Sequence, residues 1–136
     1  AMENKSLPLY GDGKNVRDWI YVGDHCEALR QVIQKGKNGE RYNIGANSEK
    51  TNIEIAHLIL KYLNKSTTLI EFIKDRPAHD RRYAIDSSKI KEHFDWQPAH
   101  SFDDAIAKTI QWYIANKSWM ENIKLRNATI NAHIKK

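Results

Sequence analysis

The chain has 136 residues, of which 40% are hydrophobic, and it carries a formal net charge of +5 at pH 7. That length suits one domain with a modest core, and the charge favours an anionic partner, although the interspersed acidic residues make a nucleic-acid partner a poorer fit. No apolar run approaches the ~20 residues needed to span a bilayer, and a single cysteine excludes an internal disulfide, so we expect a cytoplasmic protein without a membrane span.

The N-terminal residues predict a strand, a glycine turn and a second strand. Leu7–Tyr10 is a short extended segment that ends in the turn Gly11-Asp12-Gly13, where glycine supplies positive φ angles. Aromatic and β-branched residues then predict a strand over Arg17–Val22.

The next segment predicts a helix that Asp24 caps and that ends near Lys35. Apolar residues at spacings of three and four place four side chains on one inward face: Cys26, Leu29, Val32 and Ile33. We therefore expect Cys26 to be a buried, inert thiol. A further strand is predicted over Arg41–Ile44.

The second half of the chain continues the alternation of helices and strands. Thr51 and Glu54 match a capping box, which predicts a helix that begins beside them. Three further elements are predicted: a strand over Leu69–Ile73, a short helix over Ser87–Phe94, and a helix from Phe102 to about Asn116 behind a Ser101 cap. Such alternation predicts an α/β architecture.

The same pattern divides the chain into three parts. Residues 7–116 are expected to form the ligand-binding portion, and residues 1–6 are interpreted as a leader or tag. Residues 117–136 are expected to be a helical or frayed tail.

Several spacings that suggest catalysis are not supported by their context. Tyr10 and Lys14 match Tyr-x-x-x-Lys but lie across a glycine turn, and Tyr113 of the second match has the position of a core residue. The Gly11–Gly13 turn lacks both the third glycine and the helix of a dinucleotide-binding loop. We therefore predict no catalytic residue, no cofactor-binding residue and no metal site in this chain.

A cluster of cations gives the clearest functional signal. Four of them lie within seven residues: Arg76, His79, Arg81 and Arg82. Such a cluster is unfavourable unless acids or a bound anion neutralise it, and Asp75 and Asp80 can do only part of this. Ion pairs on a solvated loop remain one interpretation. Tyr10 and Arg17, from a separate block, favour a site for an anion that carries a flat base, such as a nucleotide diphosphate.

Three blocks carry a resemblance to a known family. They are Leu7-Pro-Leu-Tyr-Gly-Asp-Gly13, Val16-Arg-Asp-Trp-Ile-Tyr-Val22 and Asp75-Arg-Pro-Ala-His-Asp-Arg-Arg-Tyr-Ala-Ile-Asp86. Together they resemble the C-terminal half of bacterial dTDP-glucose 4,6-dehydratases, which are extended short-chain dehydrogenases/reductases. The resemblance implies the C-terminal part of an NAD(P)-binding Rossmann-type fold, without the dinucleotide-binding half.

The family reaction oxidises the sugar at C4 with bound NAD, eliminates water across C5 and C6, and returns the hydride to C6. By resemblance, the NAD loop and the catalytic residues belong to the half that this chain lacks. The chain alone is therefore expected to be inactive and to bind no NAD.

The resemblance also implies six residues that bind a dTDP-sugar nucleotide: Pro8, Tyr10, Arg17, Asn52, Arg76 and His79. Pro8 and Tyr10 would lie against the thymine. Arg17 and Arg76 would hold the diphosphate. His79 would reach the ribose hydroxyls, and Asn52 would contact the phosphate or the sugar.

The sequence departs from the family pattern at three positions. Ala78 and Asp95 stand where the family usually has glycine, and Gly23 stands where it usually has an acid. Ala78 adds a Cβ beside the expected diphosphate loop.

Other functions remain compatible with the residues. The chain could be a non-enzymatic nucleotide-binding or interaction module, a fragment of a related nucleotide-sugar epimerase or decarboxylase, or a basic nucleic-acid-binding domain. We also expect self-association, because the predicted Tyr42–Ile44 strand and the helix before it would present an unpaired edge and an apolar face.

Overall fold

The structure, a computed structural model, describes residues 1–134, with side-chain surroundings described through residue 127. The described part contains four short strands: β1 (Leu7–Tyr10), β2 (Val16–Asp18), β3 (Glu49–Thr51) and β4 (Ile70–Ile73). It also contains five α-helices: α1 (Val22–Lys35), α2 (Asn52–Tyr62), α3 (Ser88–Phe94), α4 (Phe102–Ala115) and α5 (Lys117–Ile134). The last two residues of the predicted tail lie outside the described residues.

The strands form two small sheets. β1 and β4 run parallel, with Tyr10 opposite Ile73, whereas β2 and β3 run antiparallel, with Val16 opposite Thr51. A parallel bridge between Val16 and Arg82 joins the segment that follows β4 to β2. These contacts bring the two sequence blocks that carry the cations together.

The core is small and lies in two places. Ala28, Ile90 and Trp96 are buried together, and half-buried residues such as Val32 and Ile44 pack around them. A second group of buried residues lies on α2 and α4: Ile55, Ala56, Leu60 and Ile110. The small number of buried hydrophobic residues agrees with the modest core that the composition predicts.

Most predicted elements are present, and their caps explain why. Thr51 and Glu54 form the predicted capping box, because the Thr51 hydroxyl accepts from the Glu54 amide while the Glu54 carboxylate accepts from the Thr51 amide. The Ser101 hydroxyl accepts from the Asp104 amide at the start of α4. Within the described part of the chain, no helix is long and apolar enough to cross a membrane.

Two predicted strands are wrong in whole or in part. The strand predicted over Arg17–Val22 is limited to Val16–Asp18, because α1 already begins at Val22. Residues 41–44 form no strand. Tyr42 and Ile44 instead pack their side chains against the core, and no described strand pairs with this segment.

The predicted details of α1 are wrong in part, although the helix ends at Lys35 as predicted and Val32 packs inward. Tyr21 is the N-cap residue, and Asp24 lies in the first helical turn, where it is buried. Cys26 is exposed, and so are Leu29 and Ile33, with Ile33 84% exposed. The inward face carries Ala28 and Val32, so the apolar stripe that periodicity assigned to the core points largely to solvent.

Candidate functional site

The predicted site lies where two parallel strands end at the same edge. Because Tyr10 and Ile73 are paired in register, the turn after β1 and the loop after β4 leave the sheet side by side. The Gly11 amide extends this ladder by donating to the Ile73 carbonyl, at 2.9 Å. In α/β proteins, ligands bind at such carboxyl ends of strands.

The Gly11–Gly13 turn does not fit a dinucleotide diphosphate. A strand follows it where a phosphate-binding loop needs a helix. Gly13 is buried, and a Cβ there would lie 3.1 Å from Ile53 and 3.2 Å from Leu9, so its backbone faces packed side chains. This turn therefore does not form a dinucleotide-binding loop.

Backbone hydrogen bonds hold the 75–86 segment against β2. The Val16 amide donates to the Arg81 carbonyl at 2.8 Å, and the Tyr83 amide donates to the Val16 carbonyl at 3.1 Å. The Asn15 side chain, only 1% exposed, adds a bond from Nδ2 to the Asp80 carbonyl at 3.2 Å. The loop that carries Arg76 and His79 is thus fixed at both ends.

Pro8, Tyr10 and Arg76 form one side of the site. Pro8 and Tyr10 alternate with inward residues along β1, so both are exposed on the same face of the strand. The Arg76 guanidinium carbon lies 5.2 Å from the centre of the Tyr10 ring, within the range of a cation–π interaction. This face combines a flat apolar surface with a positive charge.

Arg17 and His79 meet on the other side. Arg17 Nη2 lies 3.1 Å from His79 Nε2 and donates to the Asp80 carbonyl at 3.0 Å. Its guanidinium also lies over the Tyr83 ring, 4.4 Å from the ring centre. The Tyr83 hydroxyl donates to the Asp80 carboxylate, which raises the pKa of the Tyr83 phenol. Arg17 is therefore held by neutral acceptors and a ring.

Of the four arginines at this site, which are Arg17 and the three of the cluster, two have carboxylate partners and two do not. Arg81 makes a two-point ion pair with Asp12, at 2.7 and 2.9 Å, and Arg82 makes one with Glu49, at 2.6 and 2.7 Å. Within the described residues, neither Arg17 nor Arg76 has a carboxylate partner of this kind. The two arginines without a direct carboxylate ion pair are therefore those for which the resemblance implies contact with a diphosphate.

Asn52 lies at the edge of this group. Its backbone amide donates to the Asn15 carbonyl at 3.1 Å, and the next amide, of Ile53, donates to the Gly13 carbonyl at 2.9 Å. The first amides of α2 are therefore engaged by the chain itself. In the described part of the chain, no hydrogen bond joins the Asn52 side chain to the other predicted residues. Contacts join four of these residues, Tyr10, Arg17, Arg76 and His79, and Pro8 shares the exposed strand face of Tyr10.

Both glycine departures fall at left-handed positions. Ala78 has a φ of 53° and follows Pro77 in the turn that precedes His79, and Asp95 has a φ of 53° at the end of α3. Glycine adopts such angles without steric strain, whereas alanine does not. Ala78 and Asp95 therefore adopt a backbone conformation that is strained for a residue with a Cβ, and less so for aspartate than for alanine.

Two supporting residues were missed at the sequence level. Asn15 has no charge and directly precedes β2, so composition gave no signal for its burial. Asp75 was counted only as a neutralising charge, although it lies 2.6 Å from His79 Nδ1 and this bond lowers the pKa of its carboxyl. Its spacing, four residues before His79, was the available signal.

A cavity lies away from this site. It has a volume of about 400 Å³ and is lined by residues that include Trp19, Trp96 and Ser48. Buried Asp24 accepts from His100 Nδ1 at 2.8 Å, and Lys108 Nζ lies 2.8 Å from His100 Nε2. Both carboxylate oxygens of Asp24 are engaged by His100, so this network joins α1 to the loop before α4. Among the described residues, no group of three His, Cys, Asp or Glu could hold a metal ion.

Comparison with known proteins identifies the family to which the chain is similar. A family model described as GDP-mannose 4,6 dehydratase matches residues 1–109. A dTDP-glucose 4,6-dehydratase of Xanthomonas campestris is 46% identical over 132 residues, which is 90% of this chain and 38% of that protein. One from Escherichia coli is 46% identical over 131 residues, 91% of this chain and 36% of that protein. The chain spans well under half the length of these relatives.

Solved structures give the same relationship. The dTDP-glucose 4,6-dehydratase of Bacillus anthracis, in complex with NAD, shares 51% identity and a TM-score of 0.81, over 87% of this chain and 37% of that one. The Streptomyces venezuelae enzyme, with NAD and TYD bound, shares 39% identity and a TM-score of 0.83 over the same fractions. A UDP-glucose 4-epimerase of Thermotoga maritima shares 25% identity and a TM-score of 0.78, over 85% of this chain and 37% of that one. The dehydratase resemblance and the α/β fold class are confirmed, and an epimerase is not favoured.

Proposed function

Because the chain belongs to the family that the GDP-mannose 4,6 dehydratase model describes, we propose that it is the nucleotide-binding portion of a dTDP-glucose 4,6-dehydratase and binds the dTDP part of the substrate. Pro8 and Tyr10 would contact the base. Arg17 and Arg76 would hold the diphosphate, and His79 would reach the ribose. Asn52 has the least support, because it stands apart from the other five.

The observation that carries this proposal is the pairing pattern of the arginines. Arg81 and Arg82 are neutralised by carboxylates, whereas Arg17 and Arg76 have aromatic rings and neutral acceptors as their partners. A guanidinium without a carboxylate partner is well suited to a phosphate, with which it forms two-point hydrogen bonds. The exposed Tyr10 ring beside Arg76 offers a stacking surface for a base.

The proposal assigns no catalytic step to this chain. The glycine turn does not fit NAD. Of the two Tyr-x-x-x-Lys matches, one lies across a glycine turn and the other at the end of a helix, so neither has the context of a catalytic pair. NAD is bound in the related Bacillus and Streptomyces structures. For this chain we propose binding of nucleotide without cofactor or turnover, in the cytoplasm.

Calorimetric titration of dTDP into the purified chain tests the proposal, with UDP and a short DNA duplex as controls. We expect dTDP to bind more tightly than UDP. Binding of the duplex, with an affinity that falls steeply as salt rises, would instead support a nucleic-acid partner. No binding of any of the three would contradict the proposal.

Variants sharpen the same titration. Arg17→Ala and Arg76→Ala should each weaken dTDP binding about tenfold to a hundredfold, because each removes charge-assisted hydrogen bonds. Arg82→Ala is the matched control, since it removes one positive charge of the same cluster that is already paired with Glu49. An equal loss in all three variants would indicate a general electrostatic attraction.

Self-association is the second part of the proposal, but residues 41–44 form no strand and so cannot offer the sheet edge from which it was expected. Val22, Cys26, Leu29 and Ile33 form an exposed apolar stripe along α1, at spacings of four, three and four residues. We propose that this stripe packs against a second copy of the chain in solution, because an uncovered apolar helix face is unfavourable in water.

A further inference from the structure

His79 lies between a carboxylate and a guanidinium. Its side chain is only 6% exposed. Asp75 Oδ1 lies 2.6 Å from its Nδ1, and Arg17 Nη2 lies 3.1 Å from its Nε2. Asn15 Nδ2 approaches Nδ1 to 3.4 Å, and the edge of the Tyr10 ring faces the imidazole with 6.0 Å between ring centres.

These neighbours determine which ring nitrogen of His79 carries the hydrogen. A guanidinium only donates hydrogen bonds, so Nε2 must be the nitrogen that accepts. An ionised carboxylate only accepts, so Nδ1 must carry the hydrogen. A doubly protonated ring would set a donor against the Arg17 donor. Both neighbours therefore require the same neutral form, with hydrogen on Nδ1.

Asn15 does not compete for that hydrogen. Its Nδ2 donates to the Asp80 carbonyl at 3.2 Å. The opposite orientation of the amide would set its oxygen against that carbonyl, an acceptor facing an acceptor. The Nδ1 hydrogen of His79 is thus left to Asp75.

We propose that Asp75 is a positioning residue that holds His79 in the Nδ1-protonated form, so that Nε2 offers a lone pair to a sugar hydroxyl of the nucleotide. This inference rests on the proposed function. In the structure the Arg17 guanidinium is the hydrogen-bond partner of His79 Nε2. A sugar hydroxyl that donates to Nε2 would take its place and leave the guanidinium to the diphosphate, so the contacts to sugar and phosphate would form together.

Asp75 is itself held in place. Its Oδ1 also accepts from the Arg76 amide, at 2.8 Å. Its Oδ2 faces Gly11, where an added Cβ would lie only 2.9 Å away. The hydrogen bond with His79 lowers the pKa of the Asp75 carboxyl, so the carboxylate remains ionised at neutral pH. The carboxylate therefore links the turn after β1 to both proposed ligand residues of the loop.

Long-range ¹H–¹⁵N NMR of the imidazole tests the proton position directly, with His79→Gln to assign the signals. At neutral pH we expect His79 to show a protonated Nδ1 and an unprotonated Nε2. Asp75→Ala should move the hydrogen towards Nε2, whereas Asp75→Asn, which keeps an acceptor oxygen, should preserve the Nδ1 form. Glu49→Gln, a carboxylate change elsewhere in the cluster, should leave the signals unchanged. A hydrogen on Nε2 in the unmodified chain, or no change in Asp75→Ala, would overturn the proposal.

A ligand comparison tests the role of the hydroxyl. dTDP should bind about tenfold more tightly than 2′,3′-dideoxythymidine diphosphate, which lacks the donor. In Asp75→Ala this ratio should fall towards one. Equal binding of both nucleotides to the unmodified chain would overturn the hydroxyl contact. If neither nucleotide binds while the NMR signals depend on Asp75 as expected, the proposed function fails and the role of Asp75 in setting the proton stands.

Discussion

Asp12 and Arg81 form a two-point ion pair, at 2.7 and 2.9 Å, that joins the turn after β1 to the segment after β4. The Asp12 carboxylate also accepts from the Lys14 amide at 3.0 Å, so the same side chain orders its own turn. The Arg81 guanidinium lowers the pKa of Asp12. This pair engages the Arg81 guanidinium, whereas Arg17 has no carboxylate ion pair within the described residues.

Lysine substitution distinguishes these two arginines. Arg17→Lys keeps the charge but loses the planar fork, so we expect dTDP affinity to fall about tenfold in calorimetry. Arg81→Lys should change the affinity less than about threefold, because Arg81 is already paired with Asp12 and lysine preserves the charge of that pair. A similar loss in both variants would contradict a distinct role for Arg17.

The loss of folding stability at acid pH, called the acid limb below, should depend on the carboxylates of the site. Asp12, Glu49 and Asp75 each have a pKa below its ordinary value, because an arginine or His79 bonds the ionised form. A lowered pKa in the folded state stabilises the fold above the ordinary pKa near 4, and that contribution disappears as pH falls through the lowered value.

We therefore expect the thermal unfolding midpoint to be nearly constant from pH 7 to about pH 5 and to fall below about pH 4. The variant Asp12→Asn should be less stable at neutral pH and should show a shallower acid limb. An acid limb as steep as that of the unmodified chain would show that Asp12 contributes nothing to it.

Ala78→Gly should stabilise the chain. Alanine at a φ of 53° costs about 1–2 kcal/mol relative to glycine, and the extra freedom of glycine in the unfolded chain offsets part of that gain. We expect a net gain of about 1 kcal/mol, or about 4 °C in the unfolding midpoint. Asp95→Gly should gain less, because aspartate tolerates the left-handed region better than alanine does. A destabilised Ala78→Gly variant would contradict strain at this turn.

How much of the molecule was predictable depends on whether the deciding interactions were local. The capping box at Thr51, the Ser101 cap and the glycine turn after β1 depend on neighbours within four residues, and these predictions are confirmed. Residues 41–44 and the apolar stripe of α1 depend on what packs against them. Periodicity gives the apolar side of a helix but does not establish that anything covers it.

The site follows the same rule. The residue types predicted an anion site, and the resemblance supplied the individual roles. Neither could show that Arg81 and Arg82 are already paired, because their partners Asp12 and Glu49 lie 69 and 33 residues away along the chain. Asn15 was missed for the same reason, since its partner Asp80 is 65 residues distant.

Gly11→Ala and Gly39→Ala form a matched pair that separates backbone strain from side-chain contact. Both glycines have positive φ, 59° and 82°, and nothing lies within 4 Å of a Cβ at Gly39, whereas a Cβ at Gly11 would meet Asp75. Gly39→Ala should cost about 1–2 kcal/mol from backbone strain alone. Gly11→Ala should cost more than this in chemical denaturation and should also weaken dTDP binding. An equal loss of stability with unchanged binding would show that the contact with Asp75 is unimportant.

The exposed stripe on α1 should govern the oligomeric state. Sedimentation at moderate concentration should show a dimer or larger species for the unmodified chain. Leu29→Lys combined with Ile33→Lys should give a monomer, because two charges would have to be buried in the contact. Gln34→Lys is the control, since it adds a charge at an exposed polar position of the same helix and should leave the assembly unchanged. An unmodified chain that sediments as a monomer would contradict the proposed contact, and assembly that survives the double substitution would place it on another surface.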